Sequence, residues 1–111
     1  MFYGIIIIVN EKGKIKMKVC WIVQDWRSGS GNIIKVCTSI EATKRCISNY
    51  CDYCILDAQE YASEKEVKEE QQRKIEIEEF YEKYFNKNEF LKQPGHGCRC
   101  EWIEVTCFEL D

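Results

Sequence analysis

The feature that most limits the fold of this chain is an alternation. In the stretch KIKMKVCWIV, Ile15, Met17, Val19, Trp21 and Val23 fall on one side of an extended backbone, with Lys14, Lys16, Lys18 and Cys20 on the other. Side chains of a strand point to opposite faces with period 2, whereas a helix would scatter these apolar residues around its axis. The stretch is therefore a half-buried strand. It needs a neighbouring strand to complete its hydrogen bonds and a second layer to cover its apolar face. The neighbour is at hand. Phe2 to Val9 is dominated by isoleucine and reads as a strand. Between the two, Asn10-Glu11-Lys12-Gly13 supplies a turn, because Asn and Gly tolerate positive φ. The pair makes a β-hairpin.

Arg27-Ser28-Gly29-Ser30-Gly31 reads as a flexible loop, and Asn32 to Cys37 as a third short strand. Thr38 and Ser39 then offer an N-cap, with Glu41 three residues after Thr38 at the capping-box spacing. A helix is expected through about Tyr50, with Ile40, Ile47, Cys51 and Cys54 on one stripe. A second, longer helix is expected from Asp57 to about Asn86, within a Glu/Lys-rich segment over 57–91. Its first half is nearly all polar; its second half carries Ile77, Phe80, Tyr81, Tyr84 and Phe85 as an apolar face. A run of this kind is a solvated helix held by Glu–Lys pairs, or an arm that projects or pairs with a second copy. The Pro94-Gly95 break precedes a last strand, Cys98 to Leu110, with Ile103, Val105 and Cys107 on one face. The expected architecture is α+β: a four-stranded, mostly antiparallel sheet in the order β-β-β-α-α-β, with two helices, the second long and charged.

The length of 111 residues fits a single domain over 1–111. A net charge of −3 gives no long-range attraction to nucleic acid or anionic membrane. The longest apolar run, Gly4 to Val9, is far short of the ~20 residues a bilayer needs. No cationic residue precedes it and NEKGKIKMK follows it, so a signal peptide is not expected. Met1 reads as a true start and the protein as cytoplasmic.

Eight cysteines, about 7% of the chain, fall just under the density of a disulfide scaffold. Their even number suits pairing, but a cytosolic thiol is normally kept reduced. Cys51-x-x-Cys54 and Cys98-x-Cys100 are the candidates for a structural zinc, with His96 as the alternative ligand, because tetrahedral zinc takes four Cys or His ligands, often in two pairs. Against this, Cys98 and Cys100 on a regular strand stand about 7 Å apart. Cys51 and Cys54 also share the stripe of Ile40 and Ile47, where cysteine is simply a small buried apolar residue. Zinc, disulfide and buried thiol all stay open. A cysteine nucleophile with His96 as base lacks a third orienting residue and an oxyanion hole. A redox C-x-x-C would open a helix after a strand, and this one follows a helix.

The Gly29–Gly31 loop opens onto a strand, so it lacks the helix N-terminus that makes such loops bind phosphate. Lys14, Lys16 and Lys18 could track a phosphate backbone, or could be the wet face and guarded edge of a hairpin. Trp26 beside Arg27 is a combination favoured at protein interfaces. Glu66, Glu69, Glu70 and Glu76 could present an acidic face to a partner, as a nucleic-acid mimic would.

MKVCWIVQDW, NIIKVCTSIEATKRCI and EWIEVTCFELD resemble segments of small uncharacterised α+β proteins common in bacteriophage and prophage genomes. The likeness covers about half the chain. It implies an accessory protein of a mobile element acting by binding, in the manner of anti-CRISPR inhibitors, inside the bacterial host. The expectation is a non-enzymatic inhibitor that occludes a host defence component, with no catalytic residue and no membrane partner. The alternative is a small zinc-stabilised module touching nucleic acid or a nucleotide signal through the lysines.

Overall fold

A computed structural model describes residues 6–9, 15–91 and 95–110, with side chains over 19–90 and 95–109. The Asn10–Gly13 turn and Lys14 lie outside the described residues, as do the side chains of Lys16 and Lys18. The elements are β1 (Ile6–Val9), β2 (Ile15–Asp25), β3 (Asn32–Cys37), α1 (Ile40–Tyr61), α2 (Glu64–Asn86), a short 3-10 turn (Glu89–Leu91), β4 (Gly97–Cys100) and β5 (Ile103–Leu110). The fold is α+β, with one antiparallel sheet and two helices.

The eleven-residue β2 is the axis of the sheet. On one side it pairs with β5 from Lys18↔Leu110 to Asp25↔Ile103. On the other it serves two strands in turn. Its first half pairs with β1 (Ile6↔Val19) and its second half with β3 (Trp21↔Cys37). β4 then pairs with β5 at the far edge. The alternation read from the sequence holds where side chains are described. Val19, Trp21 and Val23 are fully buried, as are Ile103, Val105 and Cys107 opposite them. Trp21 lies at the centre, edge-on to Phe85 at 6.0 Å and Phe90 at 5.3 Å.

Three boundaries differ from expectation. The last strand is two strands, because the chain reverses at Glu101-Trp102, where Glu101 takes φ 55°. The first helix does not stop at Tyr50 but runs on to Tyr61, so Cys51 and Cys54 sit inside α1 rather than between helices. Of the two expected cap candidates it is Ser39 that caps the helix, its Oγ accepting from the Ala42 N–H at 2.9 Å. The second helix starts at Glu64, behind a Ser63 cap whose Oγ accepts from the Glu66 N–H. Ser63-Glu64-Lys65-Glu66 is a capping-box sequence, and it is the signal that marks the break.

The helices form an antiparallel hairpin of nearly equal arms, 22 and 23 residues. Three polar contacts set their register: Lys44 with Glu82 at 3.0 Å, Ser48 donating to Glu78 at 2.8 Å, and Lys74 with Asp52. Each step of four along α1 is matched by a step of four back along α2, the repeat that keeps one helix face in line. On the inner side, Ile47, Cys51, Ile77, Tyr81, Tyr84 and Phe85 close over the sheet. The Tyr81 hydroxyl lies 2.8 Å from both the Cys98 and the Ile103 carbonyl oxygens, tying α2 to the β4–β5 hairpin.

The face assignment of α2 yields a contrast. Ile77 is fully buried and Ile75, two residues away, is half exposed. Ile77→Ala is expected to cost about 2–5 kcal/mol in chemical denaturation, and Ile75→Ala less than about 1 kcal/mol. Equal costs would place the helix on the wrong face.

Candidate interaction surface

One end of the sheet is clamped to the helical hairpin by a charged cluster. Arg27, in the β2–β3 loop, lies with its guanidinium carbon 3.8 Å from the centre of the Trp102 ring. Its Nη2 meets Glu70 Oε2 at 2.5 Å. Arg73 completes the group, 3.4 Å from the other Glu70 oxygen and 5.5 Å from the same ring. The planar guanidinium can stack and donate at once, which an ammonium cannot. Next to it the Tyr50 hydroxyl donates to Asp25, and Asp25 also accepts from the Arg27 N–H at 2.9 Å. The Trp26 backbone N–H donates to the Trp102 carbonyl at 2.8 Å, and the Trp26 ring lies under Arg99 at 5.5 Å. It packs so closely on Gly31 that a Cβ there would come 2.7 Å from the ring.

Two of the residues expected to meet a partner, Arg27 and Glu70, are thus joined to each other across 43 positions of chain. Trp26 is half-buried beside them. Glu66, Glu69 and Glu76 point to solvent. The surface available for contact is the hairpin beyond the clamp. From Ile55 to Glu76 no residue is buried. Glu70 and Arg73 tie this stretch to the sheet through Arg27 and Trp102, and the remainder is not uniformly polar. On α1, Tyr53 is 62% exposed, Leu56 64% and Tyr61 78%. Tyr53 stacks on Tyr50 at 6.1 Å, so its ring is backed by a side chain that Asp25 holds in place. On α2, Ile75 lies in an open groove of about 600 Å³ with Glu78, Glu79, Glu82 and Lys83. The three exposed residues of α1 were missed in the sequence. Tyr53 and Leu56 fall off the Ile47–Cys51–Cys54 stripe, and Tyr61 continues it to the last residue of α1, a placement readable only once α1 is known to run past Tyr50.

The expected zinc ligands are dispersed. Cys51 and Cys54 are buried on the inner face of α1, Cys98 and Cys100 are half-buried on β4, and His96 is exposed before β4. Among the described residues no group of three or more His, Cys, Asp or Glu side chains stands close enough to hold a metal ion. The zinc reading therefore gains no support from the geometry. All eight cysteines are free thiols. Burial pushes the Cys51 thiol up to about 12, with the neighbouring Cys54 adding to it. Burial likewise raises Cys100 and Cys107 to about 11. Such sulfurs are poor nucleophiles and act as apolar packing. The exposed Glu82 is held below the usual carboxylate range by the Lys44 ammonium 3.0 Å away. Among the described residues no helix is long and apolar enough to cross a membrane.

Compared with known proteins, the chain matches no family model, no curated protein and no solved structure.

The clamp predicts that Arg27→Ala costs about 1–2 kcal/mol of stability, through the lost stacking and the lost charge-assisted bond. Arg27→Lys should recover less than half of that in the same denaturation assay. The thiols predict a pH dependence. Their folded pKa values lie above the ordinary value of 9.0, so their contribution is complete below pH 9. Above it the unfolded chain loses protons that the folded chain keeps, and stability falls as pH rises toward 11–12. A melting temperature that stays flat from pH 8.5 to 11 would contradict this.

Proposed function

We propose that this chain is a non-enzymatic binding protein whose contact element is the outer part of the helical hairpin. The observation that carries the reading is the trio Tyr53, Leu56 and Tyr61, exposed on the second half of α1 while Cys51 and Cys54 of the same helix are buried. Apolar side chains that contribute nothing to folding are a cost in solubility unless a partner covers them. Tyrosine is enriched at interface hot spots, since a rigid ring buries large area with little entropy loss. The clamp serves this surface indirectly. By fixing Glu70 and Arg73 it limits the swing of the hairpin, so less ordering remains to be done on binding.

The likeness of the strands to phage and prophage accessory proteins suggests the class of partner, a bacterial defence component such as a CRISPR nuclease. The action would be stoichiometric occlusion, with Glu66, Glu69 and Glu76 adding an acidic rim that favours a basic groove.

The reading is tested by plasmid interference in a bacterium carrying an active CRISPR system, with and without the protein. Expression should restore transformation. Tyr53→Ser with Tyr61→Ser should abolish the effect, with the melting temperature within ~2 °C of the parent, as surface changes permit. Reversing Glu66 and Glu69 to lysine should weaken it. Protection that survives the tyrosine changes rules out the hairpin as the contact; no protection in any defence background rules out the anti-defence role.

A further inference from the structure

At the sheet end of α2 the helix builds a pocket. Phe80, Lys83, Tyr84 and the C-cap residue Lys87 follow one another at steps of three and four, so they share one side. Past Lys87 the chain turns at Asn88, which takes φ 52°, and the Glu89–Leu91 turn brings Phe90 to 6.0 Å from Tyr84. β4 supplies Cys98 as a further wall. Together they enclose about 280 Å³, lined by Phe80, Tyr84 and Cys98 with Lys83, Lys87 and Glu89.

The lining is apolar with charge added. Phe80 is 38% exposed, although its neighbours Tyr81 and Tyr84 are buried. Tyr84 is only 6% exposed, and its hydroxyl has no hydrogen-bond partner among the described residues. Lys83 and Lys87 take part in none of the ion pairs between described residues. Two ammonium groups against the Glu89 carboxylate leave the lining with one net positive charge. Lysines in a last turn also offset the helix dipole. That role needs no aromatic wall, and it does not account for an exposed phenylalanine beside them.

We propose that this pocket binds a small aromatic carboxylate, with its ring against Phe80 and Tyr84 and its carboxylate on Lys83 and Lys87.

Size and chemistry both narrow the ligand. A cavity of roughly 150 Å³ accepts one benzene ring. The pocket therefore has room for a single ring and a carboxylate on a short arm. Aromatic rings favour edge-to-face or offset contact with one another. The ammonium groups give the carboxylate charge-assisted hydrogen bonds, which are stronger than neutral ones. A ligand oxygen would also offer the Tyr84 hydroxyl the partner it lacks. A neutral ring forgoes the lysines, an aliphatic acid forgoes the rings, and an amine meets like charge. The pocket lies apart from the Ile55–Glu76 stretch, so none of this depends on the hairpin's partner.

The test is titration of the full chain, labelled with ¹⁵N, with 3-phenylpropionate at pH 7, followed by two-dimensional NMR. Amide shifts should saturate in the low-millimolar range or below, centred on residues 80–90 and 97–99. Benzyl alcohol, butyrate and benzylamine should each bind at least ~10-fold more weakly. Lys83→Gln with Lys87→Gln should weaken 3-phenylpropionate at least ~10-fold, with a melting temperature within ~2 °C of the parent. Phe80→Ala should also weaken it. Shifts centred elsewhere, no saturable shift in the millimolar range, or benzyl alcohol or benzylamine binding as tightly would overturn the proposal. So would unchanged affinity in the glutamine double variant. The ligand series on the parent protein decides the matter even if a variant does not fold.

Discussion

Trp21 is the contact on which the rest depends. It stands in the middle of β2, the strand that pairs with β5 along one edge and with β1 and β3 along the other, and it meets Phe85 and Phe90 edge-on. Through β2 it is coupled to β1, β3 and β5; through the two phenylalanines it is coupled to the end of α2 and the turn that follows. An indole of this size buries more apolar area than any other side chain could at that point. Tyr84 extends the same cluster, 5.0 Å from Phe85 and 6.0 Å from Phe90. The sheet and the C-terminal half of α2 therefore fold around one aromatic centre.

Distance from that centre sorts the remaining interactions by kind. Near it, contacts are apolar and dense. At the end of the sheet they become mixed, in the Arg27–Trp102–Glu70–Arg73 clamp. Beyond the clamp only small residues, Ala58, Ala62 and Val67, are partly covered between the helices. On the core side of the clamp, the Lys44–Glu82, Ser48–Glu78 and Asp52–Lys74 ladder sets the register of the helices more than it adds stability, since exposed ion pairs contribute little. The molecule reaches 53 Å along its long axis and 24–26 Å across it. The thin end of the hairpin leaves side chains free for a partner without weakening the core.

Much of this was legible in the chain. The period of Val19, Trp21 and Val23, the inward set Ile103, Val105 and Cys107, and the stripe Ile77, Tyr81, Tyr84 and Phe85 all follow from periodicity; Phe80, expected on that stripe, is instead exposed. The misses have physical causes. Past Tyr50 the inner face of α1 is built from Cys54, Ala58 and Ala62, residues too small to give a strong apolar stripe. The Glu101-Trp102 reversal has no glycine to announce it, because Glu101 itself takes the left-handed conformation. The Arg27–Glu70 pair joins residues far apart in the chain, and an Arg beside a Trp reads equally well as an interface or as an internal clamp. The zinc reading rested on cysteine spacing, which says nothing of distance between elements; among the described residues no group of three or more such side chains stands close enough to hold a metal ion.

The claim that ties these observations together is that the fold rests on the Trp21 centre and leaves the outer hairpin uncommitted. Native-state hydrogen exchange tests it residue by residue. Amides of β2, β5 and the α2 segment from Ile77 to Phe85 should open only with global unfolding. Amides from Leu56 to Glu69 should exchange through local opening at least ~100-fold faster, a gap of roughly 3 kcal/mol. Protection in the outer hairpin equal to that of β2 would mean that it belongs to the core, and the account would fail.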